Sequence, residues 1–230
     1  GLGDVYKRQL YTQQAYELCR RLEFKNLLGR FDAEAVPENT IEQNFFVCSE
    51  LSGVEALFEK AARNSMAGIA LIADKNNVYG LGIALEKEEV YYIPAEGLLS
   101  GEYLCEKLRK LGEATVISAM DIKMLLKYVE SLEPERVFDL GIGAYLLNPL
   151  KSSYTYEDIA REYIGGISIP SREELLGKET YEKAWEKSSE NMGICACYQA
   201  FTAYAAREKT EAKLKETGMW QVYTLSLIHI

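Results

Sequence analysis

The stretch Val137-Phe138-Asp139-Leu140-Gly141-Ile142-Gly143-Ala144-Tyr145-Leu146-Leu147-Asn148-Pro149 leads into Ser152-Ser153-Tyr154-Thr155-Tyr156-Glu157-Asp158-Ile159-Ala160-Arg161-Glu162-Tyr163-Ile164-Gly165-Gly166. Its first half is an apolar run with one carboxylate, Asp139, near its start. Asn148-Pro149 stops that run, because the residue before proline is pushed out of helical geometry. Thr155 to Asp158 bring hydroxyl and acidic groups, which suit a helix N-terminus. Gly165-Gly166 supply a C-terminal stop. The pattern predicts two short helices joined by a tight loop, with Asp139 capping the first. No hydrolytic or transfer chemistry is written in this stretch alone.

Outward from it, toward the N-terminus, lie a short strand at 137–138, a helix 122–131 capped by Asp121, a strand-like Ala114 to Ser118 and a helix-like Leu98 to Leu111. Before these come three apolar runs, Gly68 to Ala73, Val78 to Leu85 and Val90 to Pro94, with turns at Asn76-Asn77 and Glu86 to Glu89. They predict an antiparallel meander of three strands. Ser52 to Asn64 reads as a helix with Val54, Leu57, Phe58 and Ala61 on one face, after a short strand within 45–51. Downstream, 179–217 reads as helical, with inner faces carrying Ala184, Trp185, Ile194, Tyr198, Phe201, Ala205 and Leu214. Three antiparallel strands followed by alternating helix and strand is the order of a ribonuclease-H-like α/β sheet, mixed and flanked by helices.

Composition narrows the function classes. The 230 residues are 48% apolar, enough for one sizeable core, and hold no run long enough to span a membrane. The net charge of −9 counts against tight DNA binding by this piece alone. Five cysteines at irregular spacing (Cys19, Cys48, Cys105, Cys195, Cys197) suit a reducing cytosol rather than a disulfide framework. Cys195-x-Cys197 has no second pair and no nearby His, so it reads as two buried small hydrophobes. The one histidine, His229, lies in the final stretch. The body therefore offers no Ser-His, Cys-His or His-based zinc scheme. Gly80-x-Gly82 sits inside a strand with no helix after it, so it is no phosphate loop.

Residues 1–9 and 225–230 resemble translated adapter read-through and are expected to be non-native tails. The body is then expected to be an internal slice of a longer protein. Tyr11 to Phe31 has helical periodicity, and 32–44 is polar and linker-like.

Phe-Asp-Leu followed by Ala-Tyr-Leu-Leu-Asn-Pro, then a Tyr-x-x-Glu-Asp-Ile-Ala helix ending in Gly, resembles the 3′–5′ exonuclease domain of bacterial DNA polymerase I (family A). Glu173-Glu174-Leu175-Leu176-Gly177-Lys178 is similar to the family's next landmark. The resemblance covers roughly residues 10–224. It implies that 10–44 is the end of a 5′-nuclease region and linker. It further implies that 45–217 is a 3′–5′ exonuclease-type domain and that 218–224 is the start of a polymerase domain.

An exonuclease of this class uses two metal ions about 4 Å apart, held by carboxylates that clamp the attacking and leaving oxygens. The resemblance implies three places for those carboxylates. The first is an Asp-x-Glu on the first strand, where this chain reads Gly68-Ile69-Ala70-Leu71-Ile72-Ala73-Asp74; the positions hold Ala, Leu and Ile. Asp74 is read as a turn residue, with a surviving ligand as the alternative. In the second, Asp121 falls at the family's Asn and Leu125 at its metal-binding Asp, so Asp121 is read as an N-cap. In the third, Tyr204-Ala205-Ala206-Arg207-Glu208 keeps the Tyr but offers Glu208 in place of Asp, and Glu208 is expected to face solvent. Asp139 is read as a cap, with a leftover pocket acid as the alternative.

The expectation is a domain that keeps the fold and not the chemistry: no catalytic residue, no metal and no cofactor of its own. The resemblance implies that its parent is a Mg²⁺-dependent DNA-directed DNA polymerase of replication and repair in a bacterial cytoplasm. It would meet DNA through that parent and pack against the polymerase domain, leaving apolar surface exposed where that domain docks. The alternative is an active metal-dependent exonuclease with an unusual carboxylate set, Asp74, Asp121, Asp139 and Glu208. A third reading is an unrelated α/β module that binds a protein or nucleotide.

Overall fold

Two consecutive apolar runs without alternation, Met66–Ala73 (β2) and Val78–Glu86 (β3), need cover on both faces, and they form the centre of a six-stranded sheet. The structure is a computed structural model that describes residues 41–229 apart from Asn76, Gly166 and Ser168. The tail, the Tyr11–Phe31 helix and residues 32–40 of the linker lie outside the described residues. So do Asn76 of the first turn and Gly166 of the double-glycine stop.

The meander is present. β2 pairs antiparallel with β3 (Leu71↔Leu81), and β3 with Glu89–Pro94 (β4) (Gly82↔Tyr92). Val116–Ala119 (β5) then lies parallel to β2, and Val137–Asp139 (β6) parallel to β5. Phe45–Val47 (β1) adds at the far edge, parallel to β4, giving the order β1-β4-β3-β2-β5-β6.

Helices cover both faces. On one, Leu51–Ala61 (α1) and Gly101–Ala114 (α2) bury Val54, Leu57, Leu104 and Leu108 against Ile69, Leu71, Leu81 and Ile83. Each such buried Leu or Ile contributes about 2 kcal/mol. α2 begins at Gly101 because the Ser100 side chain accepts the Tyr103 N–H at 3.2 Å, an N-cap inside the expected 98–111 span. β5 is followed by Ile122–Leu125 (α3), and β6 by Leu140–Leu147 (α4).

The helix expected over 122–131 is shorter than that. After Leu125 the chain continues in turns that keep Val129 buried, and the Tyr128 hydroxyl donates to the Asp74 carbonyl. Ser131 takes a positive φ of 64°, and Pro134–Arg136 forms a single 3₁₀ turn. A left-handed residue ends helical hydrogen bonding there.

The second helix of the 137–166 stretch, Tyr156–Ile159 (α5), opens with a reciprocal capping box between Thr155 and Asp158. It then widens into a π-turn, Ala160–Ile164, closed by the Gly165 N–H on the Ala160 carbonyl at 3.3 Å, with Gly165 at φ 70°. Arg172–Leu176 (α6) follows, capped by Ser171. The long helical span divides into Tyr181–Lys187 (α7), Ser189–Ala205 (α8) and Arg207–Glu216 (α9). The first break occurs at Ser188, whose backbone is extended and whose side chain accepts the Asn191 N–H at 3.2 Å, so one helix ends where the next is capped.

α8 covers the other face of the sheet. Met192, Cys195, Ala196 and Ala200 lie on Ala70, Ile72 and Ala84. The approach is close because the strands present glycine there. A Cβ on Gly68 would come within 2.6 Å of the Tyr204 nitrogen, and one on Gly82 within 2.8 Å of the Ala196 carbonyl carbon. Trp220–Ile228 (α10) runs unbroken across residue 225, burying Tyr223 and Leu227 and exposing Val222, Leu225 and Ile228. Among the described residues, no helix is long and apolar enough to cross a membrane.

Candidate functional site

β5 ends at Ala119, opposite Ile69 of its parallel neighbour β2, so the β5–α3 turn opens over the middle of β2 beside α8. A cleft of about 120 Å³ lies there. Its walls are Ile69, Ala70 and Leu71 from β2, Ala119 and Met120 from the end of β5, Asp121, Met124 and Leu125 from α3, and Gln199 from α8. The first-strand position Ala70 and the second-place position Leu125 therefore do meet, and both carry hydrocarbon. Ile72 is fully buried under α8.

Asp121 is the one carboxylate of the cleft, and it is committed locally. Its Oδ1 accepts the Met124 N–H at 2.8 Å, the N-cap read from the sequence. Asp139 sits behind it, with only 3% of its surface exposed. Its two oxygens accept the Ile142 and Ile122 N–H groups, each at 2.8 Å, so one side chain caps both α4 and α3. Burial pushes its pKa up to about 6 even though both amide bonds favour the charged form. The Tyr223 hydroxyl accepts the Asp139 N–H at 2.7 Å and donates to its carbonyl at 3.3 Å, fixing the corner to α10.

The remaining candidates lie elsewhere. Asp74 closes the β2–β3 turn, accepting the Asn77 N–H at 3.1 Å and the Tyr79 hydroxyl at 2.8 Å. Tyr204 is half-buried against Gly68; burial, with Glu86, Glu208 and Glu88 nearby, raises its pKa. Glu208 is exposed on α9, past the end of α8. Among the described residues, no three Asp, Glu, Cys or His side chains come together where they could hold a metal ion.

Gln199, Met120 and Met124 are cleft residues that the sequence did not single out. Gln199 lies five residues before Tyr204, and its Nε2 donates to Cys195 Sγ at 3.4 Å. Both thiols of Cys195-x-Cys197 are buried, with raised pKa values from desolvation, as befits small hydrophobes. A pair of divalent cations needs several unencumbered oxygens. One capping carboxylate, one amide and two thioethers do not fit that requirement, and no metal-dependent step is assigned to this cleft.

No family model matches the sequence, and no curated protein matches it. Solved structures do share the fold. The catalytic core of RRP6 from Trypanosoma brucei superposes with a TM-score of 0.60 at 10% identity, over 83% of this chain and 52% of that one. Brucella melitensis NrnC bound to pGG gives 0.57 at 14% identity, over 80% and 86%. The POL domain of Pol1 from M. smegmatis, in complex with DNA primer-template and dNTP, gives 0.56 at 12% identity. That match takes in 78% of this chain and 29% of the polymerase. This chain thus spans about half of the RRP6 core and under a third of the polymerase. The fold is ribonuclease-H-like, a mixed six-stranded sheet with helices on both faces.

Proposed function

We propose that this is a non-hydrolytic 3′–5′ exonuclease-type domain of a longer DNA polymerase I-like protein, retained as a folded spacer. The observation that carries the reading is the cleft beside the middle of β2, where β5 ends. The positions where the family resemblance implies metal-binding carboxylates hold Ala70, Ile72 and Leu125, and α8 presents Gln199. Hydrocarbon supplies no oxygen to a hard cation and no base to an attacking water. The ordered landmarks of 137–178 and the shared fold support the parentage. In that parent the Mg²⁺ chemistry and the DNA contacts would belong to the polymerase domain, with this domain setting its spacing from the 5′ nuclease.

The test is degradation of a 3′-end-labelled DNA single strand by the purified chain with Mg²⁺ and then Mn²⁺. The control has Asp74, Asp121 and Glu208 replaced by Ala. The expected result is no loss of label beyond the control. Metal-dependent loss from the 3′ end that vanishes in the control would overturn the reading and revive the unusual carboxylate set. Parentage is tested separately by sequencing the source DNA beyond residue 224, where the carboxylates of a polymerase palm are expected.

A further inference from the structure

Edge strands of natural sheets are usually kept short or guarded by a lysine, a proline, a bulge or a covering element. β1 is short, at three residues, but has no lysine, proline or bulge: it is Phe45-Phe46-Val47, paired with β4 in unbroken register and, among the described residues, with nothing else. Val47 is 71% exposed and Phe46 45%. The Cys48 N–H donates to the Tyr92 carbonyl at 2.9 Å. Main-chain groups alternate along a strand, so those of Phe46 also turn toward β4, and those of Phe45 and Val47 turn outward.

An open groove of about 410 Å³ continues from this edge, between Ser49-Glu50-Leu51 and the loop from Pro94 to Leu99. Leu98 on its rim is 79% exposed and Leu51 40%. Among the described residues, four of the nine exposed large hydrophobic side chains thus gather along one edge, so their exposure is clustered rather than scattered. Unpaired main chain and exposed apolar side chains coincide.

The charges choose the occupant. Glu50 follows the strand and Glu96 lies across the groove, whereas Glu42, before the strand, is turned to α8, where it accepts the Tyr198 hydroxyl at 2.6 Å. The lining of the groove includes no Lys or Arg, and Lys60, near the start of the edge, is held by Glu89 at 2.5 Å. A second copy pairing through β1 would bring no cation to Glu50 and Glu96, because residues 41–44 and 48–51 on either side of the strand hold no Lys or Arg. A strand with a cation at its groove end meets attraction from Glu50 and Glu96.

We propose that β1 is a strand-addition site for a partner protein: an extended segment, apolar over the length of β1 and bracketed by Lys or Arg, that joins the sheet as a seventh strand. Its main chain bonds Phe45 and Val47, its apolar side chains cover Phe46, Leu51 and Leu98, and whichever way it runs one flanking cation faces Glu50 and Glu96.

The probe is the peptide acetyl-Lys-Val-Val-Val-Lys-amide, titrated to about 1 mM into the ¹⁵N-labelled full chain and followed by NMR. Saturating shifts are expected at the amides of Phe45, Val47 and Leu98, weakening as salt is added. Val47→Pro removes an outward N–H without touching the ladder to β4, and is expected to weaken binding at least tenfold. The same peptide methylated on its backbone nitrogens is expected not to bind, which tests the idea even if the variant fails to fold. Joint Glu50→Lys and Glu96→Lys replacement is expected to transfer preference to a Glu-flanked peptide. No saturable shift at β1, or equal binding by the methylated peptide, would overturn the proposal. Shifts at β1 that arise from raising the protein concentration alone would overturn it in favour of a second copy.

Discussion

Replacing Gly82 by Ala adds one methyl group at the point where α8 lies closest to the sheet. The new Cβ would sit 2.8 Å from the Ala196 carbonyl carbon, closer still to its oxygen, and 3.2 Å from the Ala200 Cβ. Ordinary contact between carbons needs about 3.5 Å or more. The obstruction is main chain of a seventeen-residue helix, so no side-chain rotation relieves it. Either α8 lifts by a good part of an ångström or β3 bows away. Overpacking of this kind costs about 1–3 kcal/mol. Gly53→Ala is the contrast: its Cβ would meet only the Cys48 sulfur, at 3.1 Å, and the exchange gains up to about 1 kcal/mol of helix propensity within α1. Urea unfolding measures both. With m of about 2 kcal/mol/M, a loss of 2 kcal/mol lowers the midpoint by about 1 M at unchanged slope. Ala200→Gly in the Gly82→Ala background is expected not to restore stability, because the carbonyl of Ala196 remains. A Gly82→Ala protein as stable as the parent, or one rescued by Ala200→Gly, would refute the argument that backbone contact sets the seat of α8.

Asp139 has an ordinary value of 3.8 and a folded value of about 6, so the folded protein holds a proton that the unfolded chain releases between those pH values. Stability from this group is therefore full below about pH 4 and falls as pH rises to 6, by up to about 3 kcal/mol. Subtracting the pH–stability curve of Asp139→Asn isolates that slope from the carboxylates that act in the opposite sense. Tyr223→Phe strips the partner from a buried N–H and is expected to cost about 1–3 kcal/mol in thermal unfolding. Asp121→Ala removes a cap and is expected to cost about 1 kcal/mol in the same assay, with no change in nuclease background.

The sheet's centre was legible because its signals are local. Apolar runs of strand length, turns between them and hydroxyl or acidic caps each act within a few residues, and Asp121, Asp139 and Thr155 all cap as read. The pairing of β1 with β4 was not legible. It joins residues 45 and 90 through no nearby pattern, and parallel pairing leaves no turn signature. The cleft was half legible. Ala70 and Leu125 could be placed because they ride on well-marked strands and caps. The residue contributed by α8 depends on how that helix slides along the sheet, and Gly68 and Gly82 fix that against Ala196, Ala200 and Tyr204. Gly82 carries no local signal of that contact, and nothing in the residues around Gln199 marks it as the α8 side chain that faces the cleft.

The Asp139 amide has a further use. Its proton is held by a hydroxyl 84 residues away in sequence, on the last helix, rather than by its own secondary structure. Its exchange with solvent deuterium is then governed by the undocking of α10, while the amides of β2 and β3 exchange through opening of the sheet. A single resonance thus reports the local stability of the C-terminal helix separately from that of the domain. Anything that binds or pulls on that helix would be registered there first, as a change in one exchange rate.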